Sequence, residues 1–285
     1  MRHGNHWAMT CWAAGAALTA QAQPACAGAW TAEPGASYQR FGFTAYRARD
    51  SFSNTPGFER FTDFTASYYG EFGVREGVTL FAALPLRRAE NRSFGVSVRN
   101  AGAGDVDLGV KARFLRAPFV VSGQLAFKAP YLYDASADLP LGNGQEDLEA
   151  RLLAGRSLGK KWGYIGFEAA YRRRFGAPSD EFRYLLEHGA DIRKRAYVRT
   201  KLDVTKALAS TKAFPDTQTG NPRFPLAFNL AKLEATVGWR INRRMAVEVS
   251  SVSNPFGANT IRGTSVQGAL VISLDPRRRH SSAQP

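Results

Sequence analysis

Ionisable side chains in this chain recur at every second position inside otherwise apolar stretches, and that spacing limits the chemistry they can do. Across 105–115, Asp107, Lys111 and Arg113 fall with Gly109 on one side of an extended backbone. Val106, Leu108, Val110, Ala112 and Phe114 fall on the other. A helix would mix the two sets, whereas a strand separates them. Collected from every such stretch, the polar faces carry the cations Arg40, Arg87, Lys111, Arg113, Lys128, Arg151, Arg172, Arg183, Arg199, Lys201, Lys232 and Arg240. They also carry the acids Glu149, Glu168, Glu187, Asp203 and Glu234, together with Asp63, Glu71 and Asp107. Mixed signs on neighbouring strands support a lattice of cross-strand ion pairs. A cation excess within that lattice supports a path for anionic or polar solutes. Both readings stay open at the level of sequence.

Covalent and metal chemistry have far less to work with. Cys11 and Cys26 lie near the N-terminus, His3 and His6 precede them, and His280 is in the tail, so His188 is the one histidine in the body. A Ser-His-acid site would have to use it, on a strand face bearing Ala, Leu and Tyr, and no catalytic residue is assigned. The Cys and His spacing does not fit zinc, and no metal or cofactor is expected. The stretch 101–104, Ala-Gly-Ala-Gly, leads into a strand rather than a helix; it fails the context of a phosphate loop and reads as the end of a flexible external loop.

The elements that must position these residues are strands. Period-two alternation recurs through 162–174, 196–206 and 227–240: Ile165, Phe167, Ala169 and Tyr171 oppose Gly166, Glu168 and Arg172, and Leu233, Ala235, Val237 and Trp239 oppose Lys232, Glu234, Thr236 and Gly238. Twelve strands are expected, near 36–46, 61–72, 78–87, 105–114, 119–129, 147–158, 162–174, 181–190, 196–206, 227–240, 245–252 and 264–274. Most have about the ten residues that a tilted strand needs to cross a bilayer. Their connections alternate in length. Those at 73–77, 115–118, 159–161, 191–195 and 241–244 are tight, whereas those at 47–60, 88–104, 130–146, 207–226 and 253–263 are long and polar. Short periplasmic turns and long external loops give that parity. Phe72, Phe114, Phe119, Trp162 and Trp239 flank the short turns; Tyr46, Phe61, Tyr171, Phe182 and Phe228 flank the long ones, as two interfacial belts would. The fold class expected is all-β: a transmembrane, antiparallel, up-and-down barrel of twelve strands. A soluble sandwich or calyx is the structural rival, since periodicity does not say which face is inside.

The chain has 285 residues and 44% hydrophobic residues, and it contains no run of eighteen apolar residues for a spanning helix. Its first 27 residues run from basic to apolar to small and read as a secretory signal peptide, with cleavage expected after Ala27. Gln23 stands where a lipobox wants an aliphatic residue before Cys26, which argues against a lipoprotein. The organisation expected is a signal at 1–27, a barrel at 28–274 and a basic tail at 275–285. The formal net charge is +14. On an exported protein such a balance points to the outer-membrane lipid, lipopolysaccharide or acidic solutes rather than nucleic acid.

The segment 102–111, reading Gly-Ala-Gly-Asp-Val-Asp-Leu-Gly-Val-Lys, resembles the G-x-G-D-x-x-L-G-x-K stretch of the phenol meta-pathway-type outer-membrane proteins of Gram-negative bacteria. Phe127-Lys128-Ala129-Pro130 and the run 141–147 are similar to that family's next strand, loop and Gly-rich return. The resemblance spans residues 36–274. It implies a barrel in the outer membrane, inserted by the barrel assembly machinery, that moves a small solute, and it implies no catalytic residues. The last strand departs from the usual aromatic ending, closing on Val271-Ile272-Ser273-Leu274. Two functions follow as expectations: a channel for a small anionic or aromatic solute, or a non-conducting barrel that supports surface polysaccharide or adhesin production.

Overall fold

The computed structural model describes residues 28–52, 57–176, 179–209 and 227–275. Its strands are β1 (Ser37–Ser51), β2 (Phe58–Arg75), β3 (Val78–Ser93), β4 (Val96–Ala103), β5 (Val106–Leu115), β6 (Val120–Ala129), β7 (Asp147–Gly159), β8 (Gly163–Arg174), β9 (Glu181–Asp191), β10 (Ala196–Ala207), β11 (Asn229–Arg240), β12 (Met245–Ala258) and β13 (Ile261–Leu274). Each pairs antiparallel with its neighbour, and β1 pairs with β13 from Ser37↔Leu274 to Ser51↔Ile261, which closes the sheet. β4 and β5 lie on the same edge of β3: β4 pairs with its 86–93 half and β5 with its 78–83 half. They therefore share one position, and the barrel is twelve strands round. Closure pairs both edges of the strands that make up the ring, which a sheet in lipid requires; among the described residues β4 pairs with β3 alone.

Burial decides which face is inside. Phe43 is 70% exposed and Phe64 60%, whereas Lys111 is 1% exposed and Glu149 3%. Large apolar side chains face out all round the wall and the ions are enclosed, the reverse of a soluble calyx. At the bilayer midplane an outward Arg or Lys would cost about 2–4 kcal/mol, so the alternation and the closure demand the same orientation.

Several connections differ from the sequence reading. The span 88–104 is a β-hairpin rather than a loop: β3 runs on to Ser93, Phe94 and Gly95 turn with φ of 50° and 76°, and β4 returns. Ala101 to Ala103 pair with 86–88 and are strand, not a flexible loop end. Likewise β12 and β13 extend to Ala258 and Ile261 around Asn259, whose φ is 53°. These hairpins prolong the wall beyond the membrane, because polar cross-strand pairs such as Arg60–Glu90 and Arg99–Glu90 keep the ladders in register in water. Tyr46 and Phe61 also leave the expected outer belt. Both turn inward, their rings 6.1 Å apart. Residues 1–27 and 276–285, with the signal and most of the basic tail, and most of the connection 207–226, lie outside the described residues.

Candidate functional site in the barrel lumen

Three structures occupy the lumen: an N-terminal segment at the short-turn end, an ionic lattice across the middle and a folded-in loop at the other mouth.

Residues 28–36 precede β1 and turn into the barrel. Gly35 donates to the carbonyl of Gly73 at 2.7 Å and Gly73 returns a bond to Ala36 at 2.9 Å. A Cβ on Gly73 would sit 2.1 Å from the Glu33 carbonyl oxygen, so glycine is required for this approach. From there the segment meets inward-facing residues of five strands. Ala32 N–H donates to Thr79 Oγ1 at 2.8 Å, Ser122 donates to the Ala29 carbonyl, and Lys111 Nζ donates to the Gly28 carbonyl at 3.0 Å. The Trp30 ring meets Tyr164 edge-on at 5.5 Å and lies over Gly155, where a Cβ would be 2.6 Å from the indole. The buried Lys111 is held in turn by Glu71 at 3.0 Å. Backbone carbonyls that would be orphaned inside a barrel thus find donors on its wall.

The lattice has two centres. Glu149, on β7, accepts from Arg151, Arg172 and Arg183, at 2.6, 2.8 and 3.1 Å. Arg151 continues to Glu168, and Arg172 to Asp147 and Glu181 at 3.6 and 3.8 Å. Glu248, on β12, accepts from Arg40 at 3.1 Å, from Arg199 at 3.1 Å and from the Tyr197 hydroxyl at 2.9 Å. Between the centres, Lys201 pairs with Glu187 at 3.1 Å, Arg183 approaches Asp203 at 3.7 Å and Arg199 approaches Glu234 at 3.6 Å. Lys128 pairs with Asp147 at 2.8 Å and Asp105 at 3.2 Å, and Arg87 pairs with Asp63. Paired and hydrogen-bonded in this way, buried charges avoid the several kcal/mol that each would lose alone.

The candidate residues divide on this geometry. Arg40, Arg87, Lys111, Lys128, Arg151, Arg172, Arg183, Arg199, Lys201, Glu149, Glu168, Glu187, Asp203 and Glu234 are joined in ion pairs. Arg240 is near the short-turn rim, over the Tyr197 ring and 2.7 Å from Asp191. Arg113 is half-buried and has no ion pair among the described residues, and Lys232 is exposed at a register shift between β11 and β12. His188 points outward, with Nε2 3.0 Å from the Trp162 carbonyl, away from the lattice. Glu248, Asp147, Glu181 and Arg174 belong to the lattice and are absent from the sequence-based set. Glu248 had a legible signal, since Val247 and Val249 flank it as outward residues; the other three are the first or last residues of the expected strands, where alternation has a neighbour on one side only.

The outer mouth is filled by the connection 130–146. Leu139 and Leu141 are buried against Ala48, Phe61 and Ala89. Polar ties hold the loop down. Arg87 donates to the Leu141 carbonyl at 2.7 Å and Asn100 to the Leu139 carbonyl at 2.9 Å. Asp105 accepts from the Asn143 N–H at 3.1 Å and from the Tyr133 hydroxyl. Burial, together with the bond to Asp105, pushes the Tyr133 hydroxyl above its ordinary range, so it remains a donor.

No family model and no curated protein matches this sequence. Solved structures do match. The COG4313 outer membrane channel from Pseudomonas putida F1 superposes with a TM-score of 0.69 at 13% identity, over 86% of this chain and 97% of that one. This chain shares that fold. The translocator domain of the autotransporter NalP from Neisseria meningitidis gives a TM-score of 0.50 at 10% identity, over 85% of this chain and 89% of that one. A NanC porin gives 0.50 at 8% identity, over 82% and 100%.

Proposed function

We propose that this chain is an outer-membrane channel for a small solute, exported by a signal peptide that ends at Ala27 and related to the phenol meta-pathway-type barrels. One observation carries the reading. The two ends of the lumen are filled not by the wall but by two non-strand segments, 28–36 and 130–146, held by hydrogen bonds and apolar contacts that can open without breaking the barrel. The fold shared with the COG4313 channel supports it. The lattice supports weak charge selectivity, because nearly every lumen cation has its own acid within reach. In this reading the path runs between the Glu149 and Glu248 centres, lined by Arg183, Arg199, Lys201 and Glu187.

Planar-bilayer recordings test it. The purified protein should conduct, and removing 130–146 should raise conductance and speed the swelling of solute-loaded liposomes. Absence of conductance in both proteins refutes the channel. The filled lumen equally favours the second reading, a non-conducting barrel whose outer parts serve surface polysaccharide or adhesin production. There, loss of 130–146 would impair surface display and leave solute uptake unchanged.

A further inference from the structure

Five of the fourteen net positive charges lie outside the described residues. The rest is not in the lumen, where cations and acids face one another. Nor is it concentrated at the outer mouth, where Arg92 pairs with Glu59, Arg99 with Glu90, Arg173 with Asp180 and Arg262 with Asp50. It collects on the short-turn rim along one arc of the barrel. The three consecutive short turns between β7 and β12 carry Lys160 and Lys161, then Arg193, Lys194 and Arg195, then Arg243 and Arg244. All are exposed and none makes an ion pair among the described residues. Neighbouring turns are two strands apart, about 10 Å, so their charges form one continuous patch.

Each basic turn also presents a large apolar side chain outward. Trp162 is 61% exposed, Ile192 59% and Ile241 47%, and Lys161 lies over the Trp162 ring at 5.2 Å. A rim that met only water or a soluble acidic partner would have no use for isoleucines at turn positions. Apolar anchors beside cations instead match a membrane boundary, with the anchor in the acyl region and the cation at headgroup depth. Short turns face the periplasm, so the leaflet at that depth is the inner, phospholipid one. Like charges this close, with Asp191 already taken up by Arg240, repel one another unless anions are drawn in between.

We propose that the short-turn arc from β7 to β12 is a binding surface for anionic phospholipid headgroups of the inner leaflet, the phosphatidylglycerol type in particular. The surface follows from the wall and the rim and does not depend on what passes through the lumen.

Trp162 and Trp239 are placed to report on it. The full barrel is reconstituted with matched brominated phosphatidylglycerol or brominated phosphatidylcholine, and quenching gives the relative affinity of the annular sites. The proposal expects about fivefold enrichment of the anionic lipid, the scale of one basic contact with an anionic leaflet. High salt should bring it towards unity. It should also fall to near unity when Lys160, Lys161, Arg193, Lys194, Arg195, Arg243 and Arg244 are all changed to Gln, with folding checked by heat-dependent gel mobility. Equal quenching by the two lipids in the unmodified protein at low salt overturns the proposal, as does enrichment that survives the substitutions. Should the variant fail to insert, the salt series on the unmodified protein decides: salt-independent enrichment overturns it.

Discussion

Arg87 Nη1 donates to the carbonyl oxygen of Leu141 at 2.7 Å, while the same guanidinium is held by Asp63. A wall residue thus fixes both the height and the direction of the loop that fills the outer mouth. Changing Arg87 to Met removes a charge-assisted bond of about 1.5–3 kcal/mol and leaves the Leu141 carbonyl without that donor. The expected outcome is more frequent or longer openings in single-channel recordings, with the barrel still folded by heat-dependent gel mobility. An unchanged open probability would show that the packing of Leu139 and Leu141 and the bonds from Asn100 and to Asp105 hold the loop without Arg87.

The buried pair of Lys111 and Glu71 ties the inner end of the lumen to the wall, and Lys111 also reaches the Gly28 carbonyl. Changing Lys111 to Met strands a buried carboxylate and should cost about 3–5 kcal/mol of folding stability. Adding Glu71→Gln should recover much of that loss. Urea unfolding in lipid vesicles, followed by intrinsic fluorescence, measures both. A double variant no more stable than the single one would contradict the pairing.

Glu248 neutralises Arg40 and Arg199 together. Glu248→Gln keeps the shape and removes one negative charge, leaving Arg40 without this acid and Arg199 with Glu234, so the reversal potential in a salt gradient should move towards the anion value, with at least a roughly twofold change in permeability ratio. Glu248→Asp should shift it less. An unchanged ratio in Glu248→Gln would remove this centre from the solute path.

The Tyr133 latch has a pH dependence of defined sign. Its hydroxyl is shifted upward by burial and by the bond to Asp105, so the contribution is complete below the unfolded tyrosine value of about 10 and is lost as pH rises above it. Conductance of the unmodified barrel should increase in that alkaline range. Tyr133→Phe should conduct more near neutral pH and lose this alkaline response. The same response in Tyr133→Phe would assign the titration to another group.

Much of the wall was legible because period-two alternation is a local property. Val106, Leu108 and Val110 against Asp107, Gly109 and Lys111 need no partner strand to declare two faces. The aromatic belt beside the short turns was legible for the same reason: Phe72, Phe114, Phe119, Trp162 and Trp239 are all exposed. The hairpin at 88–104 was not, since polar residues on both faces leave no alternation to read. Tyr46 and Phe61 were misplaced because a ring beside a long connection can satisfy either an interface or a loop folded onto it. Only the position of Leu139 and Leu141 distinguishes the two.

By itself the sequence determined that strands form, where the short turns fall and which residues share a face, because those follow from steric and hydrophobic patterns within about ten residues. Tertiary structure alone decided which ions meet. Arg40 and Glu248 are 208 positions apart and touch only because β1 closes on β13 and sets the stagger of the strands between them. It also decided what fills the lumen. Residues 28–36 and 130–146 carry no repeating pattern, and their place inside depends on donors and apolar surfaces that exist only once the cylinder has closed.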